Sequence, residues 1–243
     1  MVDDGSHDPT LILPVALAAA DGGRLAIPAV ASNPGAEQTM WRSDVSLVNL
    51  SDVVTDITVT FHQNGLQQST SVSIPEHSAL QLDDVVRESF DATGSGWLEI
   101  DPSGAGVVAN SRTFNDAESG SFGQFVPAVP FDGAVLSGET AVLGGLSSDG
   151  SRTNVGFTSL SDNEVTITMV IYENSGVIIG ALDVAVPAMT FVQVTRLLER
   201  ELGFTGPAWA TVHCDDPGAA FLAHASVVDN QSGDPIYIPA VVR

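Results

Sequence analysis

Trp41-Arg-Ser-Asp-Val-Ser-Leu-Val-Asn-Leu-Ser-Asp52 returns as Ser151-Arg-Thr-Asn-Val-Gly-Phe-Thr-Ser-Leu-Ser-Asp162, an offset of 110 residues. Farther on, Pro75 through Trp97 match Pro187 through Trp209 at an offset of 112, with Gln81 on Gln193. Both copies close on Pro-Ala-Val, at Pro127-Ala128-Val129 and Pro239-Ala240-Val241. Solenoid units run to roughly 20–50 residues, so a period this long is that of a whole domain. The chain therefore reads as one module written twice. The expected division is an arm over 1–23, module one over 24–129, a Pro-, Gly- and Ser-bearing linker over 130–140, and module two over 141–243.

Inside each copy the apolar period is two, the mark of half-buried strands. Ile57, Val59 and Phe61 alternate with Thr58, Thr60 and His62; Val165, Ile167, Met169 and Ile171 alternate with Thr166, Thr168, Val170 and Tyr172. Asn64-Gly65 ends the first run, because both residues accept the positive φ of a type I′ hairpin turn. Asn174-Ser175-Gly176 ends the second one residue later, which accounts for growth of the offset beyond 110. Further strands are expected at 71–74, 80–82, 97–101, 107–114 and 124–129. Short strands between regularly spaced turns predict an all-β fold of two tandem Ig-like β-sandwich domains. One short capping helix is expected in each, at Asp83–Phe90 and Thr195–Leu202, with Asp83 and Thr195 as matched N-caps. Gly94 and Gly203 follow these helices, and Val85, Val86 and Phe90 would close one end of the sandwich.

Eight basic residues, all Arg, stand against 30 acidic ones, a net charge of −22. Such a surface repels phosphate backbones and anionic membranes, which excludes nucleic-acid binding. No apolar stretch approaches the roughly 20 residues that span a bilayer. Leu11–Ala20 is apolar and ends in small residues. However, Asp3, Asp4 and Asp8 stand where a signal's basic region belongs, and Pro14 interrupts the run, so it reads as a strand or extended arm. A lone Cys214 allows no intrachain disulfide and reads as a small buried hydrophobe.

Trp97, Trp209 and Tyr172 are the aromatics that would stack on a sugar if exposed; otherwise they pack at the sandwich edge. Two loops rich in oxygen donors suggest calcium, which takes 6–8 oxygen ligands. They hold Asn115, Asp116 and Glu118 in module one, and Asp229, Asn230 and Asp234 in module two. Neither matches the EF-hand spacing, and the same residues favour turns on their own account. The repeated steps Arg42/Asp44 and Arg152/Asn154 share a strand face and predict a structural latch. His213 and His224, private to module two, could converge with Cys214 and Asp215 on zinc, although closed-site spacings are missing. His62 and His77 have no His counterparts in module two, and His7 lies in the arm. No nucleophile elbow, Walker loop or dinucleotide fingerprint occurs.

Trp41–Asp52, Thr58–Phe61, Ser73–Val86 and Ser111–Val129 together resemble uncharacterised bacterial modules that occur in tandem on secreted or surface proteins. The resemblance spans about residues 24–243 and implies an Ig-like sandwich in an extracellular setting. It carries over no catalytic residue. The resulting expectation is a non-enzymatic extracellular module pair acting as spacer, adhesion or protein-interaction unit, with a protein or glycan at the cell surface as partner. A carbohydrate-binding module using exposed aromatics is the alternative, and a metal-dependent hydrolase a third.

Overall fold

The structure, a computed structural model, describes residues 22–35, 40–117 and 120–243. Residues 1–21, most of the expected arm, lie outside the described residues. The chain divides into two compact units at Gly133/Ala134. Among the described residues no helix is long and apolar enough to cross a membrane.

The first unit contains β1 (Leu25–Pro34), β2 (Met40–Asn49), β3 (Thr55–Gln63), β4 (Leu66–Ile74), β5 (Ser78–Leu82), α1 (Val85–Phe90), β6 (Gly94–Pro102), β7 (Val107–Ala117), β8 (Gly120–Pro127) and β9 (Val129–Pro130), followed by a tight helical turn at Phe131–Gly133. One layer runs β4-β3-β6-β1, with β9 on the outer side of β1; the other contains β5, β2, β7 and β8. Strand β1 joins them: it bonds β6 along most of its length and reaches β2 at Asn33 and Pro34. All pairings are antiparallel.

The second unit repeats this plan with β10 (Val135–Leu136), β11 (Thr140–Ser147), β12 (Ser151–Ser159), β13 (Val165–Glu173), β14 (Ile178–Val186), β15 (Phe191–Val194), β16 (Pro207–His213), β17 (Ala220–Asp229), β18 (Pro235–Pro239) and β19 (Val241–Val242). Its layers are β14-β13-β16-β11-β19 and β10-β17-β12-β15, with β18 on β17. Between them lie Leu143, Phe157, Ile167, Met169, Ile171, Val212 and Phe221, all fully buried. Two β-sandwiches are therefore present, as the alternating pattern predicts.

The expected linker is not a spacer. Pro130 pairs with Leu25, and the Phe131 N–H donates to the Arg24 carbonyl at 3.0 Å. Val135 and Leu136 pair with Phe221 and Ala220, and Thr140 already begins β11. Residues 130–133 thus belong to the first unit and 134–140 to the second.

Turn chemistry follows the sequence closely. Asn64 (φ 50°) and Gly65 (φ 78°) form the two-residue hairpin between β3 and β4. The second hairpin is one residue longer, yet that supplies only half the extra offset. Ile171 faces Gly180 while Tyr172 faces Ile178, so Ile179 is a β-bulge that adds the other residue. The matched helices exist, but as α1 and a π-helical turn at Leu197–Glu201. Asp83 and Thr195 are not their caps. The residues preceding them are Asp84 and Arg196, both left-handed and without a side-chain cap. Asp91 (φ 47°), not Gly94, closes α1 and corresponds to Gly203 (φ 61°). Beyond each, a backbone N–H reaches six residues back, Ala92 to Val86 at 3.1 Å and Phe204 to Leu198 at 2.8 Å. Val85 and Val86 are fully buried and Phe90 nearly so, as expected of a lid on the core.

Candidate functional site

Strand parity places Trp97 and Trp209 at one equivalent spot. Leu98 and Ala210 point into the cores, so each preceding Trp stands on the outer face of its sheet. Each faces an aromatic partner in register on the neighbouring strand: His62 beside Trp97, Tyr172 beside Trp209. Both pairs are stacked, with centroids 4.0 Å and planes 9° apart in the first unit, 4.2 Å and 10° in the second. Opposite each Trp the neighbouring strand on the other side is bulged, at Pro28-Ala29 in β1 and at Gly144-Gly145 in β11.

The two units treat this pair differently. In the first, Trp97 and His62 are 0% and 1% exposed although they lie on the outer face. The Phe131 ring stands 6.2 Å from Trp97, and the Arg24 guanidinium lies 4.4 Å over Phe131. Arg24 donates to Glu99 at 3.0 Å, and the other Glu99 oxygen lies 3.2 Å from His62 Nε2. Hydrogen bonding from His62, then from Arg24, holds the Glu99 carboxyl below its usual range. Pro28 is buried beside this arrangement. The assignment of Trp97 as a ligand-binding aromatic is therefore wrong: the indole is fully buried, with the Phe131 ring beside it.

In the second unit Tyr172 and Trp209 remain half-buried. Ile178, in register with Tyr172, is 61% exposed, and Gly144 and Gly145 are open to solvent. Arg243 occupies the position of Phe131, its N–H donating to Thr140 at 2.9 Å as Phe131 does to Arg24. The result is a row across four strands: Ile178, Tyr172, Trp209, and a diglycine bulge. Gly-Gly inside an otherwise alternating strand is a sequence sign of a bulge. Nothing local marks Phe131 as a cover.

The opposite layer of the second unit has its own aromatic run. His224 lies between Phe191 (6.1 Å) and Tyr237 (5.0 Å) and is 2% exposed. Gly156 makes room for it, since a Cβ there would lie 2.4 Å from His224 Cε1. Burial alone lowers the imidazole pKa to about 4, and Nδ1 finds no hydrogen-bond partner. His213 stands on the outer face of the other layer, on β16. The two histidines therefore sit on opposite sides of the sandwich and cannot share a zinc ion, which corrects the suggested convergence. Among the described residues no three His, Cys, Asp or Glu side chains gather as a metal group.

The calcium loops resolve differently. Asn115 and Asp116 are not in a loop but in β7, paired with Trp41 and Met40. Adjacent strand residues point to opposite faces. Asp116 instead reaches Arg42 at 3.6 Å. Glu118 lies outside the described residues. Asp229 Oδ1 accepts the N–H groups of Gln231 (2.9 Å) and Ser232 (2.6 Å) and the Ser232 hydroxyl (2.9 Å). These bonds to Ser232 and Gln231 hold its carboxyl below the usual range. Asn230 accepts from Arg152 at 3.1 Å, and the Asp234 N–H is held by Ser232. Asp229 Oδ1 is thus committed to its own turn, and the Asn230 side-chain oxygen to Arg152 on β12.

The repeated Arg-x-Asx step is the expected latch. Asp44 Oδ1 accepts the Asp84 N–H at 2.9 Å, and Asn154 Oδ1 accepts the Arg196 N–H at 3.0 Å. Each side chain thus secures the left-handed residue that starts its helix. Burial pushes the Asp44 carboxyl above its usual range.

The fold defines an all-β protein of two antiparallel sandwich units. No protein-family model matches the chain, and no curated protein matches it. Among solved structures it is similar to a β-glucuronidase from glycoside hydrolase family 2 (10% identity, TM-score 0.18, covering 87% of this chain and 25% of that one). It is also similar to a calcium binding mutant of Bacteroides uniformis β-glucuronidase 2 (11% identity, TM-score 0.14, covering 87% and 27%). The chain spans about a quarter of the length of these structures, and likenesses this distant bear on neither ligand nor reaction.

Proposed function

We propose that the chain is a non-enzymatic extracellular binding unit in which the first sandwich is a closed structural spacer and the second carries a carbohydrate-binding face at Tyr172 and Trp209. One observation carries this reading. Matched aromatic pairs occupy matched positions, yet His62 and Trp97 are fully buried, with Phe131 beside Trp97, whereas Tyr172 and Trp209 stay partly open. A half-exposed aromatic pair offers apolar area with little conformational freedom to lose, which suits the C–H face of a sugar ring. The −22 charge and the lone, buried Cys214 support a soluble surface role.

The test is a glycan array probed with the full chain and with Trp209→Ala. The expected result is glycan retention that Trp209→Ala abolishes while Tyr172→Phe largely keeps it. Retention unchanged by Trp209→Ala would refute the assignment. Pull-down of a protein partner by both forms, with a blank array, would favour the adhesion reading instead.

A further inference from the structure

Trp209 has two faces, and among the described residues an aromatic ring stacks on one of them. Tyr172 stacks on the face toward β13, and by sheet order the other turns toward β11. The residues opposite on β11 are Gly144 and Gly145, where the bulge leaves the ladder register between Leu143 and Leu146. A Cβ built on Gly144 would meet nothing within 4 Å, and one on Gly145 only the Ile238 Cδ1 at 3.5 Å. Space is therefore left beside the indole, on the outer face, in a strand where side chains normally fill it.

The first unit shows what fills the corresponding place. There the bulge is Pro28-Ala29, with Pro28 buried, and the Phe131 ring closes on Trp97. The occupant next to this Trp is thus ring-sized and apolar-faced. Charge narrows it further. With 30 acidic and 8 basic residues, the field of the chain as a whole disfavours carboxylates, sulfates and phosphates, against the single cation of Arg243 at the position of Phe131. Thr211, two residues along β16 on the same face as Trp209, and the backbone of the bulge supply hydrogen-bonding groups that a hydrocarbon ring would not need.

Building on the carbohydrate-binding reading, we infer that an uncharged pyranose seats on the free face of Trp209 above Gly144-Gly145, and that the missing side chain at 144 makes this unit open. Gly144 is then the specificity-determining position, and Pro28 its closed counterpart.

Gly144→Leu tests this directly, because the backbone at 144 is not left-handed and the added Cβ meets nothing within 4 Å. The full chain, Gly144→Leu and Trp209→Ala are run by affinity electrophoresis through gels holding hydroxyethylcellulose, galactomannan or arabinoxylan, with polygalacturonate as the charged control. Thermal unfolding is recorded for each. The expected result is retardation of the full chain in at least one neutral gel and none in polygalacturonate. Gly144→Leu should weaken retardation roughly tenfold or more with its unfolding temperature unchanged. Loss of binding in Trp209→Ala but not in Gly144→Leu would overturn the seat while leaving the aromatic face standing. Stronger retardation in polygalacturonate would overturn the neutral assignment. Retardation of the full chain in no gel, with capture on a resin of proline- and phenylalanine-bearing peptides, would overturn both readings in favour of a polypeptide.

Discussion

Trp209 stacks on Tyr172 at 4.2 Å in the same register that sets Trp97 against His62 at 4.0 Å. The geometry is repeated and the environment is not, so the same mutation in the two units has different consequences.

Trp97→Ala removes a fully buried indole and leaves His62, Phe131 and the Glu99–Arg24 pair without their packing surface. A loss of about 3–5 kcal/mol is expected for the first unit. Trp209→Ala, at a half-buried position, is expected to lose distinctly less. Urea unfolding of both variants checks the contrast; equal losses would contradict it.

His224 folds in its neutral form. Its pKa falls to about 4 from the usual 6.5, so the unfolded chain holds the proton more readily. The associated stability is complete above pH 6.5 and is lost as pH falls through the window toward 4, amounting to about 3 kcal/mol. His224→Asn, the residue present at Asn110 in the first unit, is expected to flatten this dependence. Melting temperatures across that range decide it.

Gly156→Ala would place a Cβ 2.4 Å from His224 Cε1 and 2.8 Å from Phe191. Both rings must move, at a cost of about 1–3 kcal/mol. The imidazole would gain contact with water, so its NMR-monitored titration is expected to return toward the ordinary histidine range. An unshifted titration would show that the rings had not yielded.

Asp229→Ala removes the acceptor of three hydrogen bonds that tie the β17–β18 turn. Lower thermal stability is expected to the same extent in calcium and in a chelator. A wild-type melting temperature that rises with calcium, and ceases to do so in Asp229→Ala, would restore the ion-binding reading of this loop.

Cys214 is 1% exposed, and burial pushes its thiol above the usual range. A thiol-specific reagent at mildly alkaline pH is expected to leave the native protein unlabelled and to label it stoichiometrically once unfolded.

Much of the fold was legible because it rests on local chemistry. Alternation assigned Ile57, Val59 and Phe61 to the core, and Asn64-Gly65 announced its hairpin. The latch at Asp44 and Asn154 was readable from its repetition, although its partner, a backbone N–H forty residues on, was not. The helix starts were displaced by one residue, because capping-competent side chains at Asp83 and Thr195 say nothing about which residue turns left-handed. Asn115 and Asp116 resembled a loop by composition, but β8 pairs with them and extends the strand.

The sequence by itself determined the duplication, the strands and the side of the sheet on which each Trp stands, since parity follows from backbone geometry alone. Only the tertiary structure decided which Trp meets water. Parity names a face but not what folds across it: Trp97 is fully buried, with Phe131 beside it and Pro28 in the bulge opposite, brought there by the pairing of β9 and β6 with β1. At the matching positions the second unit has Arg243 and Gly144, and Trp209 remains open.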